Sequence, residues 1–362
     1  MKFGIIGGGI NGLFISWRLS CLGHKVHIYE AGNVLQQTSS SSSKLLHGGI
    51  RYLEHGHFGL VRESLKDRAW WLKNVPKHTR RIEICMPVYN NSRRSIAKLY
   101  SGAILYRILA GSHYLGPTKW YGRNKTLQLR GEIKEKGLKG SVSFYDAQMD
   151  EQNLGNWVRE KSIAAGTEIF EEERVERYST SGEIKSLRFG HKQYDFIINA
   201  TGPWAFEMNK LNNIESNYYL RLIRGSHLIL DHKLSNSYLF QEPKDGRVVF
   251  IMPYLGKTLV GTTEVSQSLK EKIACSHEER EYLLNIYNSN FKHQISSSDI
   301  SHEFSGLRPI VGYRHRAKES YFSHASREAE IEVMGKLVTV YGGKWTSAPS
   351  LSEKIVNILE KR

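Results

Sequence analysis

The first thirty residues, MKFGIIGGGINGLFISWRLSCLGHKVHIYE, constrain the fold more than any other stretch. Lys2–Ile6 is a short apolar run of strand type, and Gly7, Gly9 and Gly12 follow it as G-x-G-x-x-G. A helix-period pattern covers residues 13–22, Gly23 closes it, and Lys25–Tyr29 is a second strand-like run ending at Glu30. Strand, glycine turn, helix, strand and acid in this order describe a dinucleotide-binding unit. The glycines let the backbone turn tightly and approach a pyrophosphate, whose charge faces the helix N-terminus. Glu30, eighteen residues beyond Gly12, falls where a carboxylate accepts a hydrogen bond from a ribose hydroxyl. By itself the unit admits NAD or FAD and any redox chemistry.

A chain of 362 residues has room for two domains or one large elaborated unit. Its three cysteines, Cys21, Cys85 and Cys275, lack metal-like spacing, which argues against a disulfide framework or a zinc site; no metal is expected. The first strand starts at once, so no signal peptide fits, and no run approaches the ~18 apolar residues of a membrane-spanning helix. The charge is the unusual quantity: 51 Lys and Arg against 36 Asp and Glu leave +15. Nucleic acid, an anionic membrane surface and an anionic small substrate all suit such a balance. The basic residues are dispersed and form no nucleic-acid module, so nucleic acid is not an expected partner.

Further along, Thr38 and the serine run 39–43 read as a hydroxyl-rich turn able to donate to phosphate or ring edges, in place of a flexible linker. Residues 63–72 look helical and Pro76 ends the segment. Arg80, Arg81, Arg93, Arg94, Lys98 and Arg107 then alternate with Ile96, Leu99, Ile104, Leu105, Ile108 and Leu109. Part of this stretch reads either as a basic amphipathic helix on a membrane surface or as a helix packed on its own domain. Residues 116–141 read as loop or insertion. Asp150 is the expected N-cap of a helix over 151–165, and 194–199 is a buried-type strand leading into Ala200-Thr201-Gly202-Pro203-Trp204. Strand-like runs at hairpin spacing over 218–263 predict a mostly antiparallel sheet. Ser276-His277-Glu278-Glu279 is a capping box. A last strand at 336–341 leads through GGKWTS into a C-terminal helix.

The segment TSSSSSKLLHGGIRYLE (38–54) closely resembles the flavin-proximal segment of FAD-dependent glycerol-3-phosphate dehydrogenases, members of the amino-acid-oxidase-like flavoprotein class. The resemblance recurs in order at NATGPW (199–204), RLIRGSHLIL (221–230), FIMPY (250–254), LVGTTEV (259–265), YLLNIYNSNFK (282–292), SGLRPI (305–310) and YGGKWT (341–346). It implies FAD as cofactor and an α/β fold. A discontinuous Rossmann-like FAD-binding domain would take 1–75, 142–205 and 300–362. A substrate or cap domain with a mixed, largely antiparallel sheet carrying helices would take 76–141 and 206–299. The implied reaction oxidises the secondary alcohol of glycerol 3-phosphate, or a close polyol phosphate, to the ketone by hydride transfer to the flavin N5. Electrons would pass on to a membrane quinone or to oxygen. Two other functions stay open: oxidation of another anionic hydroxy compound (a sugar-linked glycerol phosphate or a 2-hydroxy acid), and a flavin-binding scaffold or sensor with little turnover.

Carried over residue by residue, the resemblance places Gly7, Gly9, Ile10, Asn11, Gly12, Glu30 and Ala31 on the ADP half of FAD. Thr38, Ser42, Ser43, Lys44, Leu46 and His47 would contact flavin or pyrophosphate, and Val175 the adenine through its backbone. Ala200, Thr201, Gly202 and Trp204 would form a second nucleotide contact, and Arg308, Gly343, Lys344, Trp345 and Thr346 the final flavin contact. Such chemistry needs a base for the hydroxyl proton and fixed positive charge for an anionic substrate. His227 is the preferred base, with His47 positioned near the flavin. Arg308 is placed by the carbinol oxygen and Arg51 on the phosphate, because a guanidinium donates two parallel hydrogen bonds. Lys344 is a further phosphate or flavin contact, and Tyr52 and Tyr254 supply hydroxyls or a ring wall.

Three departures from the family pattern stand out. The helical C-terminal domain expected after the last flavin contact is missing from this reading. The loop Tyr313, Arg314, His315, Arg316, Lys318 is basic where the family tends to be acidic, and Trp345 replaces a smaller apolar residue. The expected location is cytoplasmic, with a peripheral seat on the inner face of the cytoplasmic membrane.

Overall fold

Lys2–Ile6, apolar on both faces, is an inner strand of a six-stranded sheet. The order is Glu330–Met334, Leu337–Tyr341, Phe196–Asn199, Lys2–Ile6, Lys25–Tyr29, Glu168–Phe170. All neighbours are parallel except the Glu330–Met334 and Leu337–Tyr341 pair. Parallel strands covered on both faces need continuous apolar runs, which is why FGII, VHIY and FIIN carry so few charges. This computed structural model describes residues 1–243, 246–314 and 329–362. His315, Arg316 and Lys318 of the basic loop lie outside the described residues.

Helices Ile10–Cys21, Glu151–Ala164 and Ala348–Leu359 pack together through Leu13, Phe14, Val158, Leu351 and Ile355. Phe14 meets Trp17, Trp70 and Trp71 edge-on at 5.1–5.4 Å between ring centroids, an arrangement that suits aromatic quadrupoles. Asp150 caps the second of these helices by accepting from the Asn153 amide. A small antiparallel sheet of Val175–Tyr178, Glu183–Ser186 and Gly190–Gln193 contributes Tyr178 and Ile184 to a second core with Tyr29 and Tyr194. Its last two strands escaped the sequence reading because they are short and polar.

The larger sheet has ten strands. Tyr218–Leu230 is its longest strand but one, pairing along its length with Ile300–Tyr313 and also with Lys257–Gly261. Val248–Tyr254 and Ser237–Gln241 continue antiparallel, as the spacing over 218–263 predicts. Thr79–Tyr89 joins parallel to Ser237–Gln241, and Leu138–Met149 follows antiparallel. Strands Leu138–Met149 and Ile300–Tyr313 therefore hydrogen-bond in the larger sheet, although the sequence division groups most of the first and all of the second with the nucleotide-binding unit.

Two readings of the sequence need correction. Residues 116–141 are not simply a loop: they hold strand Lys119–Gly122, helix Arg123–Leu129 and the start of Leu138–Met149. The last of these is polar in sequence yet buried, because Ser141, Asp146 and Gln148 find hydrogen-bond partners in Thr126, Arg68 and Arg80. The stretch around Ile96–Ala110 is helical, but only Lys98 and Arg107 of its six basic residues lie in the helix. Arg80 and Arg81 belong to a strand, and Arg94 is paired bidentately with Glu54 at 2.6 and 2.7 Å.

The third motif glycine is a packing requirement: a Cβ on Gly12 would sit 2.0 Å from the Gly7 carbonyl oxygen. Gly12→Ala is expected to lower unfolding free energy by ~2 kcal/mol or more and to cost FAD retention. Gly102, inside Ile96–Ala110 with nothing within 4 Å of a built Cβ, should respond oppositely. Gly102→Ala should stabilise by up to ~1 kcal/mol. Chemical denaturation of both variants checks the pair of signs.

Candidate active site

A cavity of about 740 Å³ is lined by residues of both large sheets and of the loops between them. This lies in the range of ligand-binding clefts. Its wall combines three groups of residues.

The first surrounds the glycine turn. Gly7 has φ +104°, and a Cβ there would lie 2.7 Å from the Ala200 carbonyl oxygen. Helix Ile10–Cys21 has Gly9 as its N-cap, which supplies no side chain of its own, and Gly9, Ile10 and Asn11 line the cavity. Glu30 accepts from the Gly8 amide at 2.7 Å and the Gly32 amide at 3.0 Å, which fixes its carboxylate on the cavity wall. Glu173, Arg174 and Val175 line the cavity too, and the Glu173 amide donates to the Glu30 carbonyl at 2.8 Å. Asn11 Oδ1 is buried without a hydrogen-bond partner among the described residues. Bare glycine backbone, a helix N-terminus on the cavity wall, an acid and an unsatisfied amide oxygen together fit a dinucleotide such as FAD.

The second group is the hydroxyl-rich turn. Ser39 Oγ accepts from the Ile10 amide at 3.0 Å, and the Trp345 indole donates to the Ser39 carbonyl at 3.0 Å. Lys44, with φ +59°, forms a buried ion pair with Glu151 and donates to the Ser40 carbonyl at 2.8 Å. Burial pushes the Glu151 carboxyl up, opposed by Lys44 and the Ser42 hydrogen bonds. The His47 amide donates to Thr346 Oγ1 at 3.2 Å, joining this turn to the segment Gly342, Gly343, Lys344. Gly343, at φ +88°, would place a Cβ 2.6 Å from Asn11 Nδ2.

The third group lies on strands Tyr218–Leu230 and Ile300–Tyr313. Their register sets Ile223 opposite Arg308, Gly225 opposite Gly306 and His227 opposite Phe304, so alternate residues share one face. The glycine pair opens that face. The space of a Gly225 Cβ is taken by Arg308 Nη2, 2.3 Å away, and that of Gly306 by Ser41. Arg308 Nη2 donates to the Thr263 carbonyl at 2.6 Å. His227 stacks on Phe304 at 4.8 Å, lies against Gly261 and pairs through Nε2 with Ser43 Oγ at 3.2 Å; its Nδ1 has no partner among the described residues. Burial, reinforced by Lys44 and Arg308, holds the imidazole well below its ordinary pKa and therefore neutral. Lys344 donates to Ser64 Oγ at 2.9 Å and lies over the Tyr52 ring at 5.2 Å. Behind it, burial raises the Asp67 carboxyl to about 6.

The cavity wall thus brings together Gly7, Gly9, Ile10, Asn11, Glu30, Ala31, Thr38, Ser42, Ser43, His47, Arg51, Tyr52, Val175, Ala200, Thr201, Gly202, Trp204, His227, Arg308, Gly343, Lys344, Trp345 and Thr346. Four expected contacts are not on it. Gly12 packs beneath the turn, Lys44 is drawn to Glu151, Leu46 is core, and Tyr254 is turned from the wall. Ser39 and Ser41 of the hydroxyl-rich turn line the cavity as well, while sequence reasoning missed the Gly225 and Gly306 pair, Thr262 and Glu264. Gly225 and Gly306 were visible within the quoted motifs, but their pairing depends on strand register.

The family model described as FAD dependent oxidoreductase matches residues 2–355. The aerobic glycerol-3-phosphate dehydrogenase of Staphylococcus aureus (strain USA300) is 30% identical over 374 aligned residues, covering 99% of this chain and 66% of that protein. The chain thus spans about two thirds of the length of the curated relatives it matches. Among solved structures, glycerol-3-phosphate dehydrogenase from Bacillus halodurans, complexed with FAD, superposes with TM-score 0.77 at 22% identity, covering 100% of this chain and 64% of that one. The L-alpha-glycerophosphate oxidase of Mycoplasma pneumoniae, with FAD bound, gives 0.78 at 17% identity, covering 99% and 94%. Glycine oxidase from Geobacillus kaustophilus gives 0.77 at 17%, covering 100% and 95%. At these identities the structural likeness is one of fold.

The depressed His227 pKa has a signed consequence for stability. The unfolded chain takes up a proton near pH 6.5 that the folded imidazole refuses, so this contribution is complete above that pH and lost as pH falls below it. Wild type should lose more unfolding free energy than His227→Gln between pH 7 and pH 5, by up to ~1.4 kcal/mol per pH unit. Parallel denaturation profiles for the two proteins would contradict it.

Proposed function

The chain belongs to the FAD-dependent oxidoreductase family, and from that premise we propose that it oxidises the secondary alcohol of glycerol 3-phosphate, or a closely related polyol phosphate, to the ketone. The observation that carries this reading is a neutral buried imidazole on the same sheet face as Arg308, with Arg51 and Lys344 on the same cavity wall. Gly7, Gly9, Asn11, Glu30 and the 342–346 segment would hold FAD, which when bound supplies the acceptor for the hydride leaving the alcohol carbon. His227 takes the hydroxyl proton, and its neutrality keeps an acceptor nitrogen available at working pH. Arg308 stabilises the negative charge that develops on the carbinol oxygen. Arg51 and Lys344 bind the phosphate, and His47 positions the reacting groups. The relatives named glycerol-3-phosphate dehydrogenase support this substrate class. We assign the six-stranded sheet to a cofactor unit and the ten-stranded sheet to a substrate unit.

A peripheral seat on an anionic membrane, with quinone as electron acceptor, is part of the same proposal; oxygen is the alternative acceptor. Ile108 is 63% exposed, Tyr114 58% and Trp120 57%. Strand Lys119–Gly122 packs on helix Ile96–Ala110, so Trp120 and Ile108 belong to neighbouring elements, with Arg107 and Lys119 exposed beside them. Apolar anchors amid cations suit a lipid headgroup boundary. Among the described residues no helix is long and apolar enough to cross a membrane.

Anaerobic addition of glycerol 3-phosphate should bleach the bound flavin, and Arg308→Ala should slow that reduction ~100-fold or more. Bleaching only by a 2-hydroxy acid would move the assignment to another anionic hydroxy compound, and none by any alcohol would favour a flavin scaffold. The protein should also pellet with anionic vesicles at low salt and release at high salt. Failure to pellet at low salt would remove the membrane seat.

A further inference from the structure

We propose that Glu264 is a positioning residue that holds Arg51 beside Arg308 as one oxyanion-binding pair; this rests on the reading of that wall as the substrate's anion site. One carboxylate oxygen, Glu264 Oε1, lies 3.7 Å from Arg51 Nη1 and 3.6 Å from Arg308 Nη1. These are ion-pair separations rather than hydrogen-bond lengths. Two guanidiniums drawn to one point repel each other, and a carboxylate between them offsets that repulsion.

Arg308 also donates to the Thr263 carbonyl at 2.6 Å and reaches Thr262 Oγ1 at 3.4 Å, with its guanidinium seated over Gly225. Arg51 rises from the 3-10 stretch Ile50–His55, and its side chain is 39% exposed against 26% for Arg308. Loss of Glu264 removes the carboxylate that the two share.

The residue before Glu264 is fixed from behind. The Ser226 amide donates to Thr263 Oγ1 at 2.8 Å, the Thr263 hydroxyl donates to Glu279, and Glu279 pairs with Arg224 at 2.7 Å. Glu279 is in turn locked into the capping box at the start of helix His277–Asn290. One braced segment, 262–264, thus supplies a carbonyl and a hydroxyl to Arg308 and a shared carboxylate to both arginines. Aligned forks can receive one substrate together, Arg51 on its phosphate and Arg308 on the neighbouring carbinol oxygen, whereas a splayed Arg51 loses the phosphate.

The competing role is simple repulsion: a carboxylate beside an anion site weakens anion binding, so its removal would tighten it. The two roles predict opposite signs. The test uses the FAD-loaded protein, with inorganic phosphate binding measured by calorimetry and flavin reduction by glycerol 3-phosphate measured anaerobically. Glu264→Gln should retain FAD and its thermal midpoint yet bind phosphate ~10-fold more weakly. The half-saturating glycerol 3-phosphate concentration should rise in step, while the reduction rate at saturation stays within ~3-fold. In an Arg51→Ala background, Glu264→Gln should add no further loss of phosphate affinity. Tighter phosphate binding by Glu264→Gln, additive losses in the double variant, or no phosphate binding by wild type would each overturn the pairing. Phosphate binding with the expected Glu264 dependence, but without reduction by glycerol 3-phosphate, would keep the pairing and overturn the substrate reading.

Discussion

The buried ion pair between Lys44 and Glu151 ties the hydroxyl-rich turn to helix Glu151–Ala164. Lys44 ends the hydroxyl-rich turn, and Glu151 opens a helix packed against the nucleotide-binding helix. Removing two charges from water is expensive, and the pair persists because every side of it is satisfied: Ser42 donates to Glu151, and Lys44 donates to the Ser40 carbonyl. Breaking one partner would strand a buried charge at a cost of ~3–5 kcal/mol. The turn so anchored touches everything that matters. Ser39 meets the helix N-terminus, Ser41 fills the gap above Gly306, and Ser43 meets His227. Lys44 itself lies over the Phe304 ring on which His227 stacks.

On the substrate side, shape precedes charge. Two facing strands place Gly225 opposite Gly306, and the missing side chains create the depression into which Arg308 folds. A guanidinium laid over glycine is oriented by contact on one side and by the Thr263 carbonyl on another. The neutrality of His227 follows from the same crowding, since a buried imidazole between two cations has no means of stabilising its own positive form. A neutral imidazole and a guanidinium therefore coexist on one sheet face.

Much of this was legible in the sequence. The glycine turn and its flanking strands, the capping box at Ser276, the hairpins over 218–263 and the cap at Asp150 each depend on local chemistry, and local chemistry is what a sequence displays. Most of the residues that line the cavity were reachable as well, because short motifs carry them. What stayed hidden depends on partners distant in the chain. Nothing near Lys44 in sequence announces Glu151, 107 residues away. The start of strand Leu138–Met149 read as loop or insertion, because the hydrogen bonds that bury the strand's polar residues come from Arg68, Arg80 and Thr126. Glu264 stood inside a quoted motif, yet its relation to Arg51 and Arg308 exists only once three strands and a turn have met.

The proposed arrangement sets FAD and an anionic alcohol face to face in one cavity, the cofactor on the glycine and serine segments and the anion on the arginines. A crystal structure of the FAD-loaded protein grown with inorganic phosphate is the direct test. The ADP half should lie beside Glu30, the ring system against residues 342–346, and phosphate density on Arg51 at the His227 side of the ring. A ring system seated away from His227, or phosphate bound elsewhere while both arginines face solvent, would contradict it.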